Sequence, residues 1–344
     1  MGAASFAHLP GAFVPAGPMG TGISNKEKTE VRQQYAAGEI DHVALQRMEC
    51  KAYHSTGTCT FYGTANTNQL VLEAMGLMLP GSAFVPPHTA LRRALTARIS
   101  KDIANRTALG AKCRPLVDVL TAKNIVNGLV ALLASGGSTN HTLHMVAIAR
   151  SAGYILTWQD LSDLSEVVPL LVNIYPNAQP DINALQEAGG VPVLMKALSR
   201  RGLLHEDVHT VTGEFADQLT VPVLCEGELK FVDCGETRNE KVLISGEGCF
   251  REHGGLKVLK GNLGQCVIKI SAVAPEHHHV KAPCRVFNSQ YDVHKAYQAG
   301  ELNQDCVIVV RYAGPAAAGM PELHKLMPVL GNLQKAGYHV ALLT

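Results

Sequence analysis

Cys59 lies directly ahead of a segment whose residue types suit the start of a helix. The segment runs TANTN from Thr64 to Asn68, and apolar side chains then recur at helical intervals as far as Met78, before Pro80 ends the pattern. Backbone N–H groups and the helix dipole at such a start stabilise a thiolate, the form of cysteine that binds metal. Cys59 is therefore a candidate metal ligand, and burial as a small apolar side chain is the alternative.

A glycine-rich turn near the N-terminus leads into a second candidate site. Residues 19–22 (MGTG) precede Ser24 and Asn25, either of which is able to cap a helix, and Lys26 and Lys28 follow at its start. Free helix N–H groups and two lysines together are able to hold a phosphate or a carboxylate. An ordinary solvated helix start is the alternative.

A second glycine-rich turn, residues 135–140 (SGGSTN), separates two helical segments. The apolar run before it, residues 125–133, has the length of a buried helix rather than of a strand. Ser138 or Thr139 is expected to cap the helix that follows, and with Asn140 they present hydroxyl, amide and N–H groups beyond the helix end. A plain loop between two core helices is the alternative.

A carboxylate near the C-terminus is a candidate ligand for a hard cation. In the segment GPAAAGMPELHK, residues 314–325, Pro321 suits the first position of a helix and Glu322 then lies in the first turn. A glycine-rich loop that ends on a carboxylate is what Mg²⁺ binding needs. The alternative is that the helix dipole alone favours a glutamate there.

The composition indicates a protein that binds small molecules and copies of itself. Over 344 residues the formal net charge is +1, which gives no reason to expect a nucleic acid or an anionic membrane as a partner. Charged residues make up 17%, below the roughly 25% usual for soluble proteins, so we expect extensive burial in a large core or a subunit interface. Nine cysteines without a CxxC pair favour a reducing cytoplasm.

The pattern of segments predicts two domains. Residues 1–220 form a mainly helical α/β domain, residues 221–252 a linker, and residues 253–344 a smaller β-rich domain. Strands are expected in the last of these where short runs of branched residues lie between Gly, Asn, Pro or Asp. These runs are Lys257–Leu259, Cys266–Ile270, Arg285–Phe287, Cys306–Arg311 and His339–Leu343.

Several segments, spread over nearly the whole chain, form a pattern more specific than any single motif. They are, in chain order, FVPAGPMGTGISNKEK, GTCTFYGTANTNQ, ALLASGGSTNHTLHMVAIARSAG, IYPN, EAGGVPVL, LLHEDV, HGGLKVLKGNLG and GPAAAGMPELHKLMPVLG. Together they resemble the family of dihydroxy-acid and 6-phosphogluconate dehydratases, and in particular its 6-phosphogluconate branch. This resemblance implies an α/β fold with a barrel-like C-terminal domain.

The resemblance also implies a hydro-lyase that converts a 2,3-dihydroxy acid into a 2-keto-3-deoxy acid. For the phosphogluconate branch the reaction is dehydration of 6-phospho-D-gluconate to 2-dehydro-3-deoxy-6-phosphogluconate, in gluconate breakdown by the Entner-Doudoroff pathway. An iron–sulfur cluster, [4Fe–4S] rather than [2Fe–2S], is implied as the Lewis acid, with Mg²⁺ beside it. A cytoplasmic homodimer is implied as well.

Roles for particular residues follow from the same resemblance. Cys59 matches a cluster cysteine, and Glu322 matches a glutamate ligand of magnesium. The residues assigned to the substrate are Asn25, Lys26 and Lys28 for the 6-phosphate, and Ser138, Thr139 and Asn140 for the active-site turn.

The chain also departs from the family pattern at both ends. In the family, the other cluster cysteines lie in a segment that would precede Met1, and the serine proposed as the base lies in one that would follow Thr344. We therefore expect a chain in which both domains are incomplete, no catalytic base is identifiable and activity is absent without the missing parts. The alternative functions are dehydration of another sugar acid or dihydroxy acid, and an inactive fragment or non-catalytic remnant.

Overall fold

The computed structural model describes residues 1–110, 112–319 and 323–344, which form two compact units. The first unit consists of Met1–Thr21 and Ser55–Ala272, and the second of Gly22–His54 and Val273–Thr344. Among the described residues, none of the helices combines the length and the apolar character that a membrane crossing requires.

Helices account for most of the first 200 residues, and the strands come later in the chain. The helices are α1 Gly2–Phe6, α2 Asn25–Ala37, α3 His42–Ala52, α4 Thr64–Ala74, α5 Ala90–Ala104, α6 Ala122–Ala134, α7 His141–Ser151, α8 Trp158–Val167, α9 Ile182–Ala188, α10 Gly190–Arg200, α11 Gln290–Gln298, α12 Pro315–Ala318 and α13 Met327–Lys335. The strands are β1 Thr220–Cys225, β2 Glu228–Asp233, β3 Leu256–Gly261, β4 Gly264–Lys269, β5 Cys284–Phe287, β6 Cys306–Val310 and β7 Val340–Leu343.

The predicted α/β fold class, with a mainly helical N-terminal region and a smaller β-rich C-terminal part, is confirmed, but the described strands form small separate sheets rather than a barrel. Strands β1 and β2 pair as an antiparallel hairpin, as do β3 and β4, while β5, β6 and β7 form an open parallel sheet in that order. All five predicted strand runs overlap observed strands, because short β-branched runs between turn residues favour extended backbone. The segment 221–252, predicted as a linker, contains most of the β1–β2 hairpin.

The core of the first unit is built around α4 and α6. Helix α6 is buried on nearly every side, as its apolar run predicts, and the hydroxyl of Thr121 caps its start by accepting from the N–H of Asn124. The two helices approach closely at Gly128, where a Cβ atom would lie 2.6 Å from Cγ of Met75. This contact explains a glycine in the middle of an otherwise apolar helix.

Helix α4 ends earlier than its apolar pattern suggests. The pattern continues to Met78, but the helix stops at Ala74 because Gly76 adopts a positive φ of 76°. The following turn is held by Glu73, whose carboxylate accepts from the N–H groups of Gly81 and Ala83, both at 2.7 Å. Burial raises the pKa of Glu73 to about 7, against the hydrogen bonds and the nearby Arg92, which lower it.

In the second unit, α2 belongs with the parallel sheet rather than with the other N-terminal helices. Its Gln33 carbonyl accepts from Nδ2 of Asn332 at 2.9 Å, and its side-chain oxygen accepts from Nζ of Lys335 at 2.6 Å. Both partners lie on α13, whose buried Val329 and Leu333 pack into the core of the sheet. Residues 22–54 and 273–344 thus share one compact unit.

Candidate functional site

Cys59 lies in the loop that immediately precedes α4 and is partly buried. The prediction that a helix begins a few residues after this thiol is confirmed. Its backbone carbonyl accepts a hydrogen bond from Nδ2 of Asn66 at 2.6 Å, and the carbonyl of Phe61 accepts from the same amide at 2.8 Å. One side chain in the first turns of α4 therefore determines the path of the cysteine loop.

The side-chain oxygen of Asn66 is hydrogen-bonded as well. Its Oδ1 accepts from Oγ1 of Thr58 at 2.8 Å and from Nε2 of Gln69 at 3.0 Å, so the amide group uses both its donor and its acceptor. Gln69 in turn accepts from the N–H of Gly17 at 2.9 Å. The side chain of Asn66 is fully buried, and a buried amide with all its partners in place is a rigid connection.

The N-terminal glycine-rich segment runs alongside the cysteine loop. Thr58 donates its N–H to the carbonyl of Gly17 and accepts from the N–H of Met19, both at 2.9 Å. Gly57 and Gly17 have φ values of 121° and 75°, and a Cβ on Gly57 would lie 2.5 Å from the nitrogen of Met19. Only glycine allows this approach, so these glycines place the segment against the thiol.

Residues at the start of α9 also form hydrogen bonds with the N-terminal glycine-rich segment. Oγ1 of Thr21 donates to Asp181 at 2.7 Å, and Nδ2 of Asn183 donates to the carbonyl of Met19 at 3.0 Å. Asp181 also caps the start of α9. The stretch around Asp181, which sequence patterns did not single out, thus supports the loop beside Cys59.

The second glycine-rich turn meets the start of α4. Oγ of Ser138 and Oγ1 of Thr64 are 3.1 Å apart, and Nδ2 of Asn140 donates to the same Thr64 oxygen at 2.9 Å. The N–H of Ser138 donates to Oγ1 of Thr67 at 3.1 Å. Ser138, Thr139 and Asn140 are all partly buried. The structure therefore brings together two segments that the sequence presents 74 residues apart.

The predicted capping role of this turn is wrong. Helix α7 begins after Asn140 without any side-chain cap, and neither Ser138 nor Thr139 caps it. The reason is that the Ser138 hydroxyl is directed at Thr64 of α4, while Thr139 accepts from Oγ1 of Thr142 through its carbonyl. The Ser138 hydroxyl thus joins the turn to the start of α4 instead of capping α7.

Lys269, at the end of β4, reaches the same turn and was missed by sequence patterns. Its Nζ donates to the carbonyl of Gly136, and a Cβ on Gly136 would lie 2.6 Å from Nδ2 of Asn177, so the turn is closely enclosed. Burial lowers the pKa of Lys269 to about 8. The only sequence signal is the position of this lysine at the end of the apolar run CVIK, where an exposed charge is not expected.

The residues predicted to hold a phosphate lie in the second unit, at the start of α2. Ser24 caps this helix by accepting from the N–H of Glu27 at 3.1 Å, as predicted. Asn25 is buried, whereas the side chain of Lys26 is 72% exposed and lies 3.9 Å from Glu30. The N–H of Lys28 donates to the carbonyl of Ser24, within the helix start. Glu322, the predicted magnesium ligand, lies outside the described residues.

Both parts of the chain match models of one enzyme family. Residues 1–218 match the family described as dihydroxy-acid/6-phosphogluconate dehydratase N-terminal, and residues 241–344 match the corresponding C-terminal family. The chain belongs to the dihydroxy-acid/6-phosphogluconate dehydratase family. The resemblance predicted from the sequence segments is thereby confirmed.

This chain is similar to individual members of the family over nearly all of its residues. It is 53% identical to the phosphogluconate dehydratase of Escherichia coli K12 and 52% identical to that of Zymomonas mobilis, in each case over 100% of this chain and 57% of the relative. A dihydroxy-acid dehydratase from Sulfurisphaera tokodaii is 35% identical, over 97% of this chain and 58% of the relative. The chain therefore spans less than two thirds of the length of these relatives.

The described residues of this family member do not form a complete metal centre. Cys59 offers one thiol at the start of α4, which suits a single ligand position. Elsewhere in residues 1–110, 112–319 and 323–344 there is no group of three or more His, Cys, Asp or Glu side chains able to hold a metal ion. An iron–sulfur cluster thus does not fit these residues alone, and what they do offer is a polar site at the start of α4.

Proposed function

We propose that this dehydratase acts on 6-phospho-D-gluconate and releases 2-dehydro-3-deoxy-6-phosphogluconate and water, the dehydration step of the Entner-Doudoroff pathway. The observation that carries the proposal is the sequence identity of 52–53% to phosphogluconate dehydratases over the whole chain, against 35% to a dihydroxy-acid dehydratase. In this reaction C2 loses its proton and C3 its hydroxyl group, and the resulting enol becomes the ketone.

In this proposal the polar residues at the start of α4 bind and orient the sugar acid. Ser138, Thr139 and Asn140 supply hydroxyl and amide groups next to Thr64, and sugar hydroxyl groups are suitable partners for them. Their mutual hydrogen bonds preorganise the site, so that little side-chain freedom is lost when substrate binds.

The proposal also includes the cofactors and the assembly that the family resemblance implies. Cys59 would hold an iron–sulfur cluster, [4Fe–4S] in this branch, together with ligands that the described residues do not supply, and Glu322 would bind Mg²⁺. We further propose a cytoplasmic homodimer, in keeping with a charged fraction of only 17%.

The proposed function is tested by anaerobic iron–sulfur reconstitution followed by a comparison of substrates. Because the chain spans 57% of the Escherichia coli relative, the assay uses the chain alone and the chain joined to the segments that flank the matching region in that relative. We expect 2-keto acid formation from 6-phosphogluconate in the joined form. Turnover of a branched dihydroxy acid instead, or of neither substrate, would contradict the proposal.

Cys59→Ser tests the proposed ligand role in the same joined protein. We expect a loss of bound iron and of turnover, because a hydroxyl replaces the thiolate that binds iron. Cys50→Ser is the matched control, since Cys50 is an exposed thiol on α3, and it should retain both. Equal iron content in the two variants would exclude Cys59 as a ligand.

The double variant Lys26→Ala/Lys28→Ala tests the proposed phosphate contact. We expect KM for 6-phosphogluconate to rise about tenfold or more with kcat retained, because charge-assisted hydrogen bonds to a phosphate would be lost. Lys51→Ala, an exposed lysine on α3 of the same unit, is the control and should leave KM unchanged. An unchanged KM in the double variant would remove this assignment.

A further inference from the structure

Lys269 is a partly buried cation for which the described residues provide no anion. Its one hydrogen bond is to a neutral acceptor, the carbonyl of Gly136. Burial is the sole cause of the lowering of its pKa, so no nearby carboxylate offsets the cost of removing the ammonium group from water. Lysines in such positions are normally paired, because an unpaired buried charge destabilises the fold.

Lys269 contacts a turn that carries several polar side chains. Gly136 belongs to the turn that carries Ser138 and Asn140, and both of these join it to Thr64 at the start of α4. An ammonium group has three donors, and the carbonyl of Gly136 uses one of them. Two donors of Lys269 are thus left for a ligand, and Lys269 contacts the turn that carries the hydroxyl and amide groups of the proposed sugar-acid site.

We propose that Lys269 binds an oxyanion of the acidic substrate, and that this anion is the missing partner of its charge. This inference rests on the proposed function, because it assigns the anion to the sugar acid bound at the Ser138–Asn140 turn. A carboxylate and a phosphate share the required chemistry. Lys269 is then a substrate-binding residue contributed by the segment that matches the C-terminal family to a turn that matches the N-terminal family.

The test is isothermal titration of the 344-residue chain with three separate anions: 6-phosphogluconate, gluconate and inorganic phosphate. Lys269→Met removes the charge and keeps the apolar stem, and Lys257→Met is the matched control. Lys257 lies on β3 of the same hairpin, is exposed and pairs with Glu166 at 3.0 Å. We expect Lys269→Met to raise Kd for 6-phosphogluconate about ten- to a hundredfold and Lys257→Met to leave it unchanged.

The two simpler anions identify which group Lys269 binds. A parallel loss of gluconate affinity in Lys269→Met assigns the carboxylate, and a parallel loss of phosphate affinity assigns the phosphate; both support the proposal. Binding of all three anions by Lys269→Met as by the wild type overturns it, as does a wild-type chain that binds none of them.

Thermal unfolding and a charge-retaining variant separate anion binding from a purely structural role. An unpaired buried charge lowers stability, so Lys269→Met should melt at or above the wild-type temperature although it binds the anion poorly. Lys269→Arg keeps the charge and should recover part of the affinity. A lower melting temperature in Lys269→Met, with affinity retained by the fraction that folds, would indicate a structural lysine.

The result of the anion-binding test is independent of the dehydration assay. Binding of 6-phosphogluconate that depends on Lys269, without turnover in the joined form, would contradict the proposed reaction and retain the anion site. Turnover in the joined form, without any effect of Lys269→Met on binding, would support the proposed reaction and contradict the anion site.

Discussion

Asn66→Asp is expected to lower the free energy of unfolding of the first unit by about 3–5 kcal/mol. The wild-type amide donates to the carbonyls of Cys59 and Phe61 at 2.6 and 2.8 Å. A carboxylate of the same shape has no donor for either carbonyl, and its negative charge would face both of them in a fully buried position. The substitution thus replaces two hydrogen bonds with two repulsive contacts, and we expect the cysteine loop to leave its place.

Urea unfolding followed by circular dichroism measures this loss, and Asn239→Asp is the matched control. Asn239 is exposed, and its Oδ1 accepts from the N–H of Lys241 at 3.1 Å, a role that a carboxylate also fills. The control should therefore stay within about 0.5 kcal/mol of the wild type. Equal stability of the two variants would show that Asn66 does not hold the loop.

The labelling rate of Cys59 gives a local readout for the same variant. Cys59 is partly buried in the wild type, and a loop released from Asn66 would expose its thiol. We expect a brief pulse of iodoacetamide, read by peptide mass spectrometry, to label Cys59 faster in Asn66→Asp than in Asn239→Asp.

Gly17→Ala is expected to cost about 4 kcal/mol or more, enough to leave little folded protein. A Cβ at this position would lie 1.9 Å from the carbonyl oxygen of Val85, and backbone atoms cannot yield as a flexible side chain does. That oxygen also accepts from Nη2 of Arg92 at 2.6 Å, so it is fixed from the other side. The φ of 75° adds strain for any residue with a Cβ.

Gly153→Ala separates the backbone strain from the steric clash. Gly153 has a φ of 86°, and a Cβ there would meet nothing within 4 Å. We expect it to cost only about 1–2 kcal/mol, which is the strain alone. Both variants are compared by urea unfolding of the purified chain, and similar losses would mean that the contact with Val85 is not a constraint.

Much of the secondary structure could be predicted because the determining information is local. Helix α6 follows from an apolar run of helical length, and the start of α4 from the polar residues after Cys59. The end of α4 could not be predicted, since Met75 and Met78 continue the apolar pattern as buried residues beyond the helix, next to a turn held by Glu73. Apolar periodicity reflects burial, and the buried residues of a turn are able to continue the same apolar pattern as a helix.

The candidate site was predicted in separate pieces. Cys59 and the turn that carries Ser138 could each be identified as places where chemistry is possible. The alternatives, a buried apolar thiol and a plain loop, remained compatible with the local sequence. Thr64, which binds the turn through hydrogen bonds with Ser138 and Asn140, is an ordinary residue at the start of the helix that follows Cys59. Lys269 could not be assigned at all, because its partner Gly136 lies 133 residues away.

By itself, the sequence determined the family, most of the helices, the five strands from β3 to β7, and the residue types available for binding, because these depend on neighbours along the chain. Only the tertiary structure decided that the Ser138 turn meets the start of α4, that residues 22–54 share a unit with residues 273–344, and that Lys269 is partly buried with no counter-charge among the described residues. The physical reason is that burial and long-range hydrogen bonds arise from packing. They change the chemistry of a side chain, and the residues next to it in the sequence do not indicate this change.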